Sequence, residues 1–142
     1  MTNIEILNRT VWATIKPSPI SGVGVFAIRD IPAGTILTTN NIIDLQKPKK
    51  VIRTTESEFK SLLPEIQEVI LGRILFANKF VFYSPNDEAC LQSFMNHSET
   101  PNSDGDKALI SIAKGEEITL NYRTLDGFDN IHPLSKEANK FL

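Results

Sequence analysis

The chain has 142 residues, 41% hydrophobic and 23% charged, which suits one compact domain (residues 1–142) near the usual size of about 100–150 residues. A formal net charge of −2 gives no basic footprint for DNA or RNA. Cys90 is the single cysteine, which excludes an intramolecular disulfide and a cysteine-rich zinc cluster and fits a reducing, intracellular setting. The first eight residues have no basic stretch leading into an apolar run, unlike a signal peptide. No apolar run approaches the roughly 20 residues that span a bilayer, so no membrane partner is expected.

The first third reads as short strands and turns. Residues 11–15 are β-branched and aromatic, and Lys16-Pro17-Ser18-Pro19 should interrupt them. Ser21-Gly22-Val23-Gly24 leads into a brief strand at 25–28, Asp30-Ile31-Pro32-Ala33-Gly34 is a turn, and 35–37 is extended again. Thr55, followed three residues later by Glu58, marks a helix start. Phe59, Leu62, Leu63, Ile66, Val69 and Ile70 then recur at helical spacing and should face a core. Pro64 splits this stretch, Gly72 is the expected terminator, and the helical insert covers about residues 55–77. Further strands are expected at 80–83, 108–113 and 118–122, with turns at 84–87, 103–107 and 114–116. Residues 133–142 have the pattern of a short terminal helix. A mainly β domain with a small helical insert fits this order better than βαβ alternation.

Three segments carry candidate chemistry. In Ser21-Gly22-Val23-Gly24, two glycines flanking one residue let backbone approach a ligand closely, although an ordinary glycine turn gives the same pattern. In Phe94-Met95-Asn96-His97-Ser98, with Pro101-Asn102 after it, Asn96 and His97 can each donate and accept, as a structural pair or as a binding pair. His132 is the only other histidine, so the chain offers no metal-ligand set. In Gly115-Glu116-Glu117-Ile118-Thr119-Leu120-Asn121-Tyr122, adjacent strand residues point to opposite faces. Glu116 and Glu117 therefore read as solvated turn charges rather than an acid–base pair.

In this order, and with Ile31-Pro32-Ala33-Gly34-Thr35 after the first of them, the three segments resemble the SET domain over about residues 10–124. The resemblance implies a β-clip fold of short twisted sheets, in which the C-terminal segment threads beneath the loop around residues 96–102 as a pseudoknot. It implies an enzyme, a protein-lysine N-methyltransferase using S-adenosylmethionine. Ser21, Gly22, Val23, Gly24, Asn96 and His97 would hold that cofactor, and Tyr122 would sit at methyl transfer as the catalytic residue and touch the cofactor too. Residues 125–142 would cover the cofactor, with Phe128 as an aromatic lid over the adenine. The partner is a protein carrying the target lysine, a histone or another basic protein. Small stand-alone relatives from viruses and bacteria can dimerise, so a homodimer is in keeping with the resemblance. The corresponding location is the cytoplasm of a bacterium, or the cytoplasm or nucleus of a host or eukaryotic cell. Two stretches depart from the family pattern. Ala89-Cys90 and Ser93 stand where Gly-Asn and Arg are common, and Asn121 stands where Asp often precedes the final tyrosine. A SET-fold peptide-binding or regulatory module without turnover is the alternative.

Overall fold

A computed structural model describes residues 2–37, 51–73, 80–83, 91–124 and 134. The chain divides into two compact units, Met1–Gln46 with Cys90–Tyr122 and Lys47–Ala89 with Arg123–Leu142.

The first unit opens on a helix, α1 (Asn3–Thr10), outside every sequence expectation. Its start is a capping box. The Thr2 hydroxyl accepts the Glu5 N–H, and the Glu5 carboxylate accepts the Thr2 N–H. The helix buries no residue, and Ile4 and Leu7 stand exposed. Strands β1 (Ala13–Pro17) and β2 (Val23–Ala27) follow as an antiparallel hairpin, in register from Ala13↔Ala27 to Pro17↔Val23. β1 ends at Pro17, inside the expected interruption at Lys16-Pro17-Ser18-Pro19, after including its first two residues. Among the described residues β1 pairs only with β2, so it is an edge strand, where a proline without an N–H is tolerated.

Strands β5 (Asn96–His97) and β6 (Glu117–Leu120) complete the four-stranded sheet. β2 pairs antiparallel with the first half of β6 through Val25↔Ile118 and Phe26↔Glu117. β5 takes the second half in parallel, through Asn96↔Thr119 and His97↔Leu120. The strand expected to reach Tyr122 stops at Leu120, and Tyr122–Thr124 forms a 3₁₀ turn. The strand expected at 108–113 is reduced to single bridges, Ser103↔Ala108 and Ile31↔Ile112, and the extended stretch at 35–37 to Ile36↔Lys107. Among the described residues, Val25, Ala27, Ile31, Leu37, Met95, Ala108, Ile112, Ile118 and Leu120 form the buried apolar set of this unit.

In the second unit, β3 (Val51–Arg53), which the sequence reading missed, pairs antiparallel with β4 (Val81–Tyr83). Thr55 caps α2 (Glu56–Lys60) through the expected box with Glu58, whose carboxyl is lowered from its usual value by the Thr55 backbone N–H and hydroxyl. Pro64 starts α3 (Pro64–Arg73), which runs through Gly72 rather than ending there. Phe59 and Ile70 are buried, with Ile52, Leu62, Leu71 and Phe80 around them. Leu63, Ile66 and Val69 are exposed instead of core-facing. The restart at Pro64 breaks the helical phase, so a stripe continuous in sequence is not continuous in space. The expected turn at 84–87 and most of the expected terminal helix lie outside the described residues. Among the described residues, no helix is long and apolar enough to cross a membrane.

Ile118 is fully buried at the centre of β6. Ile118→Ala should lower unfolding free energy by about 3 kcal/mol in urea titration, whereas Ile4→Ala on the exposed face of α1 should change it by less than about 0.5 kcal/mol.

Candidate functional site

The backbone of β6 is bonded along both edges. Successive carbonyls of a strand point to opposite sides. Leu120 O accepts from the Ser98 N–H at 3.0 Å, whereas Thr119 O accepts from the Ser103 N–H at 3.1 Å and from its hydroxyl at 2.8 Å. The Asn102 side chain behaves as a short piece of strand. Its Nδ2 donates to Glu117 O at 2.8 Å, and its Oδ1 accepts the Thr119 N–H at 2.9 Å. Residues 96–103 thus start on one edge of β6 and finish on the other, so the strand passes beneath them. The expected threading is present.

That crossing assembles the candidate residues. Asn96 is buried, and its Nδ2 donates to Ser21 O at 3.1 Å, to Val23 O at 3.0 Å and to Glu117 Oε2 at 2.8 Å. One amide thereby joins β5 to the tip of the β1–β2 hairpin. At that tip Gly22 has φ +46°, a region that favours glycine, and nothing lies within 4 Å of where a Cβ would stand. Gly24 differs. A Cβ there would fall on the Glu117 carboxylate and press on Ser18 Cβ, so internal packing alone already requires a glycine.

His97 and Tyr122 meet directly. The Tyr122 N–H donates to His97 Nδ1 at 3.0 Å, and the two rings lie 5.2 Å apart at 58°. An accepting Nδ1 places the ring proton of the neutral imidazole on Nε2, which faces Glu99 Oε1 at 3.2 Å. The Tyr122 hydroxyl donates to Met95 O at 2.6 Å. These bonds explain why β6 ends early, since Tyr122 turns out of the strand to reach His97 and Met95.

Ser21, Gly22, Val23, Gly24, Asn96, His97 and Tyr122 therefore lie in one unit and are joined by hydrogen bonds, sequence adjacency or both. Phe128 and the rest of 125–142 fall outside the described residues, except Leu134, as do Ala89 and Cys90. Among the described residues, no group of three His, Cys, Asp or Glu is placed to hold a metal. One expectation is corrected. Glu117 is no solvated turn charge, because its Oε1 and Oε2 accept from the Ser18 hydroxyl at 2.7 and 2.9 Å in addition to Asn96. The signal in the sequence is its place at the head of a strand, alternating with Ile118 and Leu120, and its partners 99 and 21 positions away carry none. Chemically, the site offers bare hairpin backbone, a fixed amide, a neutral imidazole and a phenol whose proton is committed.

Comparison with known proteins shows the family and the fold. The SET domain family matches residues 22–123. A variant-silencing SET domain-containing protein of Plasmodium falciparum is 29% identical over 139 residues, a match covering 88% of this chain and 5% of that much longer relative. A solved structure of apo ctPRC2 with mutations in Ezh2 superposes with a TM-score of 0.51 at 20% identity, covering 90% of this chain and 16% of that one. That likeness is one of fold.

Asn102→Ala removes both side-chain bonds to β6 and leaves Glu117 O and the Thr119 N–H without those partners. Chemical denaturation should show a loss of about 1–3 kcal/mol, larger than for a solvent-facing Asn→Ala change.

Proposed function

The chain belongs to the SET-domain family, a lysine methyltransferase family, and on that premise we propose that it is a protein-lysine N-methyltransferase taking its methyl group from S-adenosylmethionine. The meeting of Asn96, His97 and Tyr122 with the 21–24 hairpin carries this reading. The residues present fit the cofactor. The backbone at Gly22 is bare, with nothing within 4 Å of where a Cβ would stand, and Asn96 ties down the carbonyls of Ser21 and Val23 on either side of it. Ser21, Gly22, Val23, Gly24, Asn96 and His97 would hold the cofactor, and Phe128 is proposed as the aromatic over its adenine.

When bound, S-adenosylmethionine supplies a methyl group on a sulfonium, already activated for displacement by an amine. The protein is left with alignment, which in a well-oriented reaction is worth several kcal/mol. Tyr122 is the residue for that task. With its proton given to Met95 O, the phenolic oxygen can accept from the N–H of an incoming lysine and aim its lone pair. The lysine must arrive neutral, against a free pKa of about 10.4, and burial in an apolar channel disfavours the ammonium form. The His97 bond to the Tyr122 N–H keeps the tyrosine main chain in place while this occurs.

Incubation with labelled methyl donor and a panel of basic proteins tests the reading. The wild-type chain should label a lysine, and Tyr122→Phe should lose at least about 100-fold in rate while keeping its circular dichroism spectrum. Peptide binding by the wild type with no label transferred would make the chain a recognition module and end the enzymatic reading.

A further inference from the structure

The proposed cofactor cradle is built from segments more than 70 residues apart, and both touch one carboxylate. Glu117 accepts the Ser18 hydroxyl from the hairpin side and the Asn96 amide from the β5 side. Ser18 Oγ in turn accepts the Ile20 N–H at 3.0 Å, and Asn96 continues to Ser21 O and Val23 O. The chain of bonds closes on itself around residues 18–23. Its hub is charged, while its donors, one hydroxyl and one amide, are neutral, so the bonds to Glu117 are of the stronger charge-assisted kind. Gly24 completes the seat, because a Cβ there would fall on Glu117 Oε2.

We propose that Glu117 is the positioning residue of the cofactor cradle, fixing the 18–23 hairpin tip against Asn96 without itself contacting the cofactor. This rests on the methyltransferase reading above. The polarity of the bonds gives the reason a charge is used. A glutamine at 117 keeps the shape but turns an N–H₂ toward either the Ser18 hydroxyl or the Asn96 amide. Ser18 can rotate and accept. Asn96 cannot turn its oxygen toward Glu117 without withdrawing its donor from Ser21 O and Val23 O. With its N–H₂ toward Ser18 the glutamine keeps one oxygen for Asn96, but both bonds lose the charge that strengthens them and the Ser18 hydroxyl gives up its 2.7 Å donation, so the hairpin tip is held less firmly while the apolar core of the unit stays in place.

Calorimetry with S-adenosylmethionine, and steady-state kinetics at varied donor, separate this role from a merely structural one. Glu117→Gln should weaken donor binding by about tenfold or more, with a matching rise in KM and kcat at saturating donor within about threefold. Ser18→Ala should weaken binding by a smaller factor, and Ser18→Ala with Glu117→Gln should weaken it by less than the product of the two single factors, because the two side chains share one bond. Unchanged affinity in a folded Glu117→Gln protein overturns the proposal and leaves the methyltransferase reading standing. If Glu117→Gln does not fold, Ser18→Ala decides, and unchanged affinity there overturns the proposal equally. Wild-type chain that binds no S-adenosylmethionine removes the methyltransferase reading and this proposal with it.

Discussion

A buried strand must find a partner for every backbone N–H and C=O, and β6 draws its partners from segments far apart in sequence. β2 supplies the pairing at Glu117 and Ile118, and Ser98 supplies it at Leu120. Asn102 and Ser103 bind the opposite edge. Because residues 96–103 must serve both edges, they have to cross the strand, and that crossing brings Asn96, His97 and Tyr122 to one place. The site is a consequence of satisfying β6.

Side chains acting as backbone run through the whole arrangement. Asn102 stands in for a strand, Asn96 bonds two carbonyls of the hairpin, and His97 offers the acceptor for the Tyr122 N–H. Each needs a specific donor–acceptor pattern, so few residue types will serve. Glu117 belongs to the same scheme with the polarity reversed, a pure acceptor meeting two donors. An apolar core of Val25, Ile112, Ile118 and Leu120 lies beneath and supplies burial, which raises the cost of any of these groups losing its partner.

The same scheme accounts for what the sequence made legible. Asn96, His97, Asn102 and Tyr122 stand in a recognisable pattern because the pairing geometry dictates their chemistry as well as their spacing. The capped start of α2 was legible because Thr55 and Glu58 interact across a single turn. Other features depend on contacts that sequence order hides. Glu117 looked like a solvated charge because its partners, Ser18 and Asn96, are remote in the chain. The stretch at 108–113 has the composition of a strand, but Ala108 and Ile112 bridge to different segments, so no ladder forms. The stripe through Leu63, Ile66 and Val69 lost its meaning when Pro64 reset the helix phase. α1 was missed although its Thr2–Glu5 box is of the same kind as that of α2 and Ile4, Leu7 and Val11 recur at helical spacing.

The central claim is that the crossing over β6 creates one ligand site from the 21–24 hairpin, Asn96-His97 and Tyr122. Titration of isotopically labelled chain with S-adenosylhomocysteine, followed through backbone amide chemical shifts, tests it most directly. Saturable shifts should concentrate at Ser21, Gly22, Val23, Gly24, Asn96, His97 and Tyr122, with α1 and α3 unmoved. Saturable shifts centred elsewhere, or none at these residues at millimolar ligand, would contradict it.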